Sequence, residues 1–118
     1  ILTEDGRQRL RWMAASELPV LMEKDTDISV EGFTDRVGTD DYNKKLAMNR
    51  AENVKLALRD ILGKRLKTAD KDIDATSLGE KLARNAGDLQ DEENPRFRGV
   101  RILINGRVVL RLLEAYGR

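Results

Sequence analysis

Residues 30–54, which read VEGFTDRVGTDDYNKKLAMNRAENV, decide the fold of this chain. The segment DISVEGFT, which overlaps the start of this stretch, alternates apolar and polar residues and predicts a half-buried strand. DRVGTDD then supplies a turn in which Gly38 can adopt a positive φ, and Thr39 is predicted to cap a helix with two aspartates in its first turn. This helix is predicted to run to about Leu62, with Gly63 as its C-terminal cap.

The predicted helix has an apolar face with two polar residues beside it. At about 100° per residue, the apolar stripe contains Ala47, Ala51, Val54, Leu58 and Ile61. Asn43 and Arg50 are seven positions apart, so they project along nearly the same line at the flank of the stripe. Arg50 is therefore predicted to be half-buried and directed at an anionic group, because an arginine buried without partners is costly. Two alternatives remain: an internal salt bridge to an acid such as Asp35 that serves only the fold, or a bound ligand.

Outward from this stretch, the chain alternates helices and strands. LTEDGRQRLRWMAASELPVLMEK predicts a first helix that is capped by Thr3 and is bent or ended near Pro19. KDIDATSLGE predicts a second strand, KLARNAGDLQDEENP an acidic connection rich in turns, and GVRILI a third strand. We expect one domain over residues 1–118, an α/β (α+β) two-layer sandwich with helices on one face of the sheet.

The segment after the third strand has two interpretations. Asn105-Gly106 lies between RILI and RVVL and is a strong hairpin signal, because both residues tolerate a positive φ. A competing C-terminal helix would place on one face Val109, Leu112, Leu113 and Tyr116. The residues alone leave both interpretations open.

Composition excludes several classes of protein. The 118 residues are 40% hydrophobic and 36% charged, and their apolar runs are too short for a bilayer span, so the domain is not expected to cross a membrane. With 22 basic and 21 acidic residues, nucleic acid is not an expected partner. The chain has no cysteine and no histidine, which excludes disulfides, thiolate zinc sites and thiol or imidazole catalysis, and no metal or cofactor is expected. A hydrolase that uses a carboxylate pair, such as Asp35 and Asp40 as acid and base, is a further hypothesis.

The string at residues 30–54 resembles the OmpA-like domain of many outer-membrane proteins, peptidoglycan-associated lipoproteins and flagellar stator proteins. In that family a strand ends in Gly-aromatic-Thr-Asp, and a Gly, an Asn, a Leu and an Arg-Ala pair follow at fixed spacings. The matching residues here are Gly32, Phe33, Thr34, Asp35, Gly38, Asn43, Leu46, Arg50 and Ala51. IDATSLGE resembles the family's third-strand segment. The resemblance therefore runs over about residues 2–104, with 105–118 as a C-terminal extension.

The resemblance implies a βαβαβ fold with a mixed sheet and noncovalent binding of peptidoglycan, without catalysis. In this interpretation Asp35 and Arg50 grip the free amino acid end of diaminopimelate in the stem peptide. An ammonium and a carboxylate on one carbon require an acceptor and a bidentate donor a few ångströms apart, which agrees with these residue types. The further residues expected at the site are Phe33, Thr34, Asn43, Leu46 and Arg98. A periplasmic location is implied, with the parent protein attached to the outer or inner membrane.

Two departures from the family pattern lie at the expected site. Phe33 stands where the family often has His or Tyr. Phe97-Arg98-Gly99 stands where the family usually has Asn-Arg-Arg, so one of two basic groups is missing. The second departure motivates an alternative function as a protein-protein or oligomerisation module with weak or lost affinity for peptidoglycan, which leaves a homodimer open.

The third departure lies at the start of the chain. The family's first strand should precede the first helix, and residues 1–2 cannot supply it. No signal peptide is present at the start either, so we expect the chain to be a piece of a longer precursor. If residues 105–118 begin with a hairpin, its outer strand is predicted to cover the sheet edge that the missing strand leaves.

Overall fold

The computed structural model describes residues 2–66 and 73–113. Its elements are, in chain order, α1 (Glu4–Ser16), α2 (Leu18–Leu21), β1 (Ile28–Phe33), α3 (Asp40–Leu66), β2 (Ile73–Ser77), α4 (Lys81–Asn85), β3 (Gly99–Ile104) and β4 (Arg107–Leu113). A single 3₁₀ turn at Pro95–Phe97 precedes β3. The predicted succession of strand, turn and long helix at residues 30–54 is confirmed.

The four strands form one mixed sheet in the order β2-β1-β3-β4. β1 pairs with β2 in parallel and with β3 antiparallel, so that Val30 lies between Ala75 and Ile102. β3 pairs with β4 antiparallel. The central position of β1 places the turn that follows it at the middle of one end of the sheet.

The helices cover one face of the sheet. α3 packs against β1, β2 and β3, and α1 packs against α3 and β4. The core between these layers includes Val30, Ala51, Val54, Leu58 and Ile102. On the opposite face Arg101 Nε donates to Glu31 Oε1 at 2.7 Å across the strand pair. The two-layer sandwich predicted from the sequence is therefore confirmed, because the helices cover one face of the sheet and the Arg101–Glu31 pair lies on the other.

The predicted helix starts are confirmed by their caps. Thr3 Oγ1 accepts a hydrogen bond from the Gly6 N–H at 3.1 Å, and Thr39 Oγ1 accepts one from the Tyr42 N–H at 3.2 Å. α1 ends at Ser16, ahead of Pro19, as expected. Each hydroxyl satisfies an N–H group that a helix leaves without an internal partner.

Two details of the sequence prediction are wrong. Gly63 does not end α3, which continues to Leu66. A glycine inside a helix costs only about 1 kcal/mol relative to alanine, and Gly63 does not adopt the positive φ that ends a helix. The connection that follows β2 is also not wholly irregular, since Lys81–Asn85 form the short helix α4. KLARN contains good helix formers, but the turn-forming residues around it made this short helix hard to recognise in the sequence.

The hairpin interpretation of residues 99–113 is confirmed. Asn105 and Gly106 adopt φ values of 51° and 79°, and β4 returns along β3 with an irregular register at Ile102/Leu103. The alternative helix is wrong for the described part of this segment, and Tyr116 lies outside the described residues. β4 occupies the sheet edge beside β3. In the described residues no strand precedes α1, although Leu2 is buried and forms an isolated β-bridge.

None of the helices described for residues 2–66 and 73–113 is both long and apolar enough to cross a membrane.

Gly32 allows α3 to pack directly on the backbone of β1. A Cβ atom added at Gly32 would lie 1.9 Å from the carbonyl oxygen of Ala47. No real Cβ approaches an oxygen so closely, so any side chain at this position must push the helix away from the strand. Ala47 is itself fully buried.

We expect Gly32→Ala to lower the free energy of unfolding by about 1–3 kcal/mol or more, because the added methyl group overpacks a rigid backbone contact. Gly63→Ala is the matched control. Nothing lies within 4 Å of a Cβ added at Gly63, so this change should raise the free energy of unfolding by about 0.5–1 kcal/mol through helix propensity. Urea denaturation of both variants measures the difference. Equal stability of Gly32→Ala and the wild type would contradict the proposed close contact.

Candidate functional site

A cavity of about 230 Å³ opens where the turn after β1 leads into α3. It is lined by Thr34, Asp35, Val37, Tyr42, Asn43, Leu46, Arg50, Glu93 and Arg98. Six of the seven residues predicted from the sequence are thus brought together: Thr34, Asp35, Asn43, Leu46, Arg50 and Arg98. The remaining one, Phe33, is fully buried and does not line the cavity.

Asp35 is held in this cavity by three hydrogen bonds. Its side chain is only 8% exposed, and Oδ2 accepts hydrogen bonds from Arg98 Nε at 2.7 Å and from the Asn94 N–H at 3.1 Å. Oδ1 accepts one bond, from the Val37 N–H at 3.2 Å. A carboxylate can accept about four hydrogen bonds, so Oδ1 keeps an acceptor position. Asp35 therefore forms an internal salt bridge with Arg98, whereas the alternative considered from the sequence assigned such a bridge to Arg50.

The pKa of Asp35 lies below the ordinary value of 3.8. Burial of the carboxyl group acts in the opposite direction and raises its pKa. The hydrogen bonds from Arg98, Asn94 and Val37, together with the charge of Arg98, outweigh burial and lower the pKa. Asp35 is therefore a fixed negative charge at neutral pH.

Thr34 and Asn43 hold the backbone of the turn. Thr34 Oγ1 donates to the carbonyl oxygen of Asp35 at 2.8 Å, and Asn43 Nδ2 donates to the same oxygen at 3.3 Å. The Thr34 N–H donates to the carbonyl of Gly79 at 2.8 Å, which ties the turn to the end of β2. Two buried side chains thus fix the peptide that carries the Asp35 carboxylate.

The rest of the turn is fastened to the connection between α4 and β3. Arg36 Nη1 donates to the carbonyl of Asp88 at 2.9 Å, and Arg36 Nη2 donates to Gln90 Oε1 at 3.1 Å. The Gly38 N–H donates to Asp91 Oδ1 at 3.0 Å, and the Asp91 N–H donates to the carbonyl of Arg36 at 2.8 Å. The acidic connection seen in the sequence therefore supports the site directly.

The α3 side of the cavity carries Asn43, Leu46 and Arg50 at helical positions i, i+3 and i+7, which lie on one face. Arg50 is only 8% exposed, so it is buried more deeply than the half-burial predicted from the sequence. Arg50 and Arg98 line the cavity together with Asp35 and Glu93, so the lining holds two cations and two anions. A cavity with both signs of charge suits a ligand group that is itself zwitterionic.

Three lining residues were missed by the sequence analysis: Val37, Tyr42 and Glu93. Tyr42 could have been found, because it lies four and eight positions before Leu46 and Arg50 on the same helix. Val37 follows Asp35 in the turn and could have been inferred from that proximity. Glu93 had no sequence signal, because only the folded connection after α4 brings it near Arg98.

Gly99, where the family usually has arginine, is fixed by packing. A Cβ atom at Gly99 would lie 2.7 Å from the carbonyl oxygen of Leu112, 2.9 Å from Leu113 Cδ2 and 3.0 Å from Phe33 Cζ. β4 and Phe33 together leave no room for a side chain there. The missing basic group is therefore a consequence of the β4 strand, and Arg98 is the basic residue of this segment that lines the cavity.

Asp40, one of the two carboxylates considered as acid and base of a hydrolase, is paired with basic residues. Asp40 Oδ2 lies 3.1 Å from Lys44 Nζ, and Asp40 Oδ1 lies 3.2 Å from Arg84 Nη2. The hydrogen bond from Lys44 and the charges of Lys44 and Arg84 lower the pKa of Asp40 despite the opposing effect of desolvation. Asp40 does not line the cavity that contains Asp35. Within the described residues, no cluster of three or more Asp or Glu side chains is arranged to hold a metal ion.

Comparison with known proteins identifies related domains. The family model described as OmpA family matches residues 2–98. Over 53 residues the chain is 45% identical to outer membrane protein A of Citrobacter freundii, a match that covers 45% of this chain and 22% of that protein. This chain thus corresponds to a minor part of that curated relative.

Solved structures give a similar result. The C-terminal domain of Helicobacter pylori MotB matches with a TM-score of 0.64 and 18% identity, covering 89% of this chain and 75% of that chain. This likeness shows the fold. The peptidoglycan-associated lipoprotein from Burkholderia pseudomallei is 31% identical with a TM-score of 0.40, covering 64% of this chain and 53% of that chain.

The lowered pKa of Asp35 predicts a pH-dependent contribution to stability. A depressed carboxyl pKa stabilises the fold above the ordinary value of 3.8, and this stabilisation is lost as the pH falls through the folded-state pKa. Asp35→Asn should therefore lower the free energy of unfolding by about 2 kcal/mol at pH 7, and the deficit should shrink below about pH 4. Urea denaturation at pH 7 and pH 3 checks this.

Asp74→Asn is the control for that experiment, since Asp74 is exposed on β2. It should change the free energy of unfolding by less than about 0.5 kcal/mol at either pH. A deficit in Asp35→Asn that is the same at pH 7 and pH 3 would show that the charge of Asp35 is not what stabilises the turn.

Proposed function

The chain belongs to the OmpA family, and we propose that it binds peptidoglycan without a covalent bond, through the diaminopimelate residue of the stem peptide. The observation that carries this proposal is the cavity between the turn after β1 and α3, which is lined by two carboxylates and two guanidinium groups. The free end of diaminopimelate bears an ammonium and a carboxylate on one carbon. Such a group needs both signs of fixed charge within one small cavity.

The roles follow from the bonding of each side chain. The remaining acceptor position on Asp35 Oδ1 suits the ammonium group, because its other bonds fix the carboxylate in place. Arg50, from α3, suits the carboxylate, because a planar guanidinium can donate two parallel hydrogen bonds. Leu46 and Tyr42 provide apolar surface for the methylene groups between the two ends of diaminopimelate.

Arg98 has two roles in this proposal. Its Nε holds Asp35 in place at 2.7 Å, while its side chain also lines the cavity. A guanidinium is a planar fork of five N–H donors, so one arginine can contact more than one carboxylate. This double use supports retention of affinity although Gly99 lacks the family's second basic side chain.

The proposed role in the cell is to hold a parent protein, or the outer membrane that carries it, to the cell wall from the periplasmic side. The module requires no catalysis. Asp35 and Asp40 both have lowered pKa values, which keeps them ionised and makes them poor proton donors at neutral pH. Fixed complementary charges are sufficient for binding.

We expect Asp35→Asn and Arg50→Ala each to weaken binding to purified sacculi by roughly thirtyfold or more. Each change leaves one charge of the ligand without its partner, at a cost on the order of 2–5 kcal/mol when the contact is buried. Cosedimentation with sacculi measures the binding. Circular dichroism through a thermal transition must show that each variant is folded at the temperature of the experiment.

Arg59→Ala is the matched control, because Arg59 lies on the exposed side of the same helix. It should bind sacculi as the wild type does. If both cavity variants remain folded and bind normally, the peptidoglycan site is not here and the domain acts as a protein-protein or oligomerisation module, which sedimentation of a homodimer would support. If both variants unfold, the charges serve the fold.

The chemistry of the third stem residue provides a second test. A muropeptide with unamidated meso-diaminopimelate at the third stem position should bind most tightly, and the muropeptide with the amidated residue should bind more weakly. The muropeptide with lysine at this position should bind most weakly, with an affinity lower than that of the unamidated form by roughly two decades or more. Lysine keeps the amine but has no carboxylate for Arg50, whereas the amide oxygen still accepts one hydrogen bond. Calorimetric titration with matched muropeptides gives the three affinities.

Arg50→Ala can be combined with the change of diaminopimelate to lysine in the ligand, and the four affinities form a double-mutant cycle. If Arg50 reads the carboxylate, the variant should lose most of the discrimination between the diaminopimelate and lysine forms. Equal affinity of the wild type for both forms would show that Arg50 does not read the carboxylate.

A further inference from the structure

A second cleft lies between α1 and β4, away from the cavity that contains Asp35. It encloses about 230 Å³ and shares no lining residue with that cavity. Its lining includes Arg9, Trp12, Ser16, Glu17, Val109 and Leu110. One wall belongs to β4, which lies beyond the segment matched by the OmpA family model. This wall of the cleft therefore lies outside the residues that the family model matches.

Trp12 is the only tryptophan of the chain, and its side chain is 70% exposed. It lies on α1 one position before Met13, which is buried in the core. An indole ring with most of its surface in water contributes little to packing of the fold. An exposed aromatic ring in a cleft instead offers a flat apolar surface to a ligand.

The charged groups of the cleft are already paired, yet they retain capacity for hydrogen bonds. Arg9 Nη2 donates to the carbonyl of Arg111 at 2.9 Å, and Glu17 Oε2 accepts from Arg107 Nη2 at 3.1 Å. Arg9 keeps further N–H donors, Glu17 keeps Oε1 as an acceptor, and Ser16 presents an exposed hydroxyl. Hydrogen-bond donors and acceptors therefore line the same cleft as the indole ring.

A ligand with many hydroxyl groups and one apolar face fits this arrangement better than a hydrocarbon chain, which would leave the donors and acceptors of the cleft unused. The volume is below the roughly 300–1,000 Å³ of sites for drug-sized ligands, so it accommodates about one ring. A pyranose ring has an apolar face of C–H groups for the indole and hydroxyl groups for the polar border. Val109 and Leu110 offer apolar contact for an acetamido methyl group.

We propose that this cleft binds an N-acetylhexosamine ring of a glycan strand, with Trp12 as the stacking platform. The inference rests on the proposed function only for the source of the sugar, since the glycan strands of peptidoglycan contain N-acetylhexosamines. If the Asp35 cavity binds the stem peptide and the Trp12 cleft binds the glycan, the domain contacts both components of peptidoglycan. Two linked contacts give a higher overall affinity than either alone.

The test uses tetra-N-acetylchitotetraose, an N-acetylglucosamine oligomer without a stem peptide. Because Trp12 is the only tryptophan, its fluorescence should change saturably on titration. Asp35→Asn should leave the midpoint unchanged within about twofold, since the two sites share no lining residue. By calorimetry, Trp12→Ala should weaken binding at least about tenfold, and Trp12→Phe should restore part of the affinity.

Leu89→Ala is the matched control, because Leu89 is an apolar side chain 71% exposed outside the cleft, and this variant should bind the oligomer normally. Three results would overturn the proposal: no saturable fluorescence change, unchanged calorimetric affinity in Trp12→Ala, or a dimer in sedimentation that Trp12→Ala dissociates. The last result would assign the cleft to a second copy of the chain.

The two proposals can fail separately. Loss of sacculus binding in Asp35→Asn without any binding of the oligomer rejects only the glycan site. Binding of the oligomer through Trp12, together with normal sacculus binding in Asp35→Asn, rejects only the stem-peptide site.

Discussion

The contact between Gly32 and the backbone of Ala47 is the constraint on which the candidate site depends. It allows α3 to lie so close to β1 that a Cβ on the strand would meet the Ala47 carbonyl at 1.9 Å. At this separation Asn43, one turn earlier on α3, reaches the carbonyl of Asp35. Arg50, nearly one turn later, lines the same cavity as Asp35. A wider spacing between strand and helix would separate these groups.

Asp35 shows how one residue can serve the fold and a binding site together. Its carboxylate is held by Arg98 and by two backbone N–H groups, and these partners lower its pKa although burial opposes them. The charge is therefore already fixed in position before any ligand arrives. Preorganisation of this kind reduces the loss of side-chain freedom on binding. It also means that a substitution at Asp35 changes stability and binding together, so the two effects must be measured separately.

β4 changes the domain in two places at once. At the Asp35 end of the sheet it packs over Gly99 and excludes a side chain there, which removes one basic group from the candidate site. Further along the strand it forms one wall of the cleft that contains Trp12. A strand added at a sheet edge covers N–H and C=O groups that would otherwise attract another chain, and it also creates new surface.

The sequence by itself determined most of the elements and most of the residues that line the candidate site. Local patterns were sufficient for β1, the Thr39 cap and the Asn105-Gly106 turn, because each depends on neighbours in the chain. Helical spacing was sufficient to align Asn43, Leu46 and Arg50. Only the tertiary structure decided that Arg98 is the partner of Asp35, that Glu93 enters the cavity and that Phe33 does not. The physical reason is that these contacts join residues about sixty positions apart or depend on which face of β1 is covered. Helix and strand periods carry no information at that range, so the packing of α3 and the folded connection before β3 decide them.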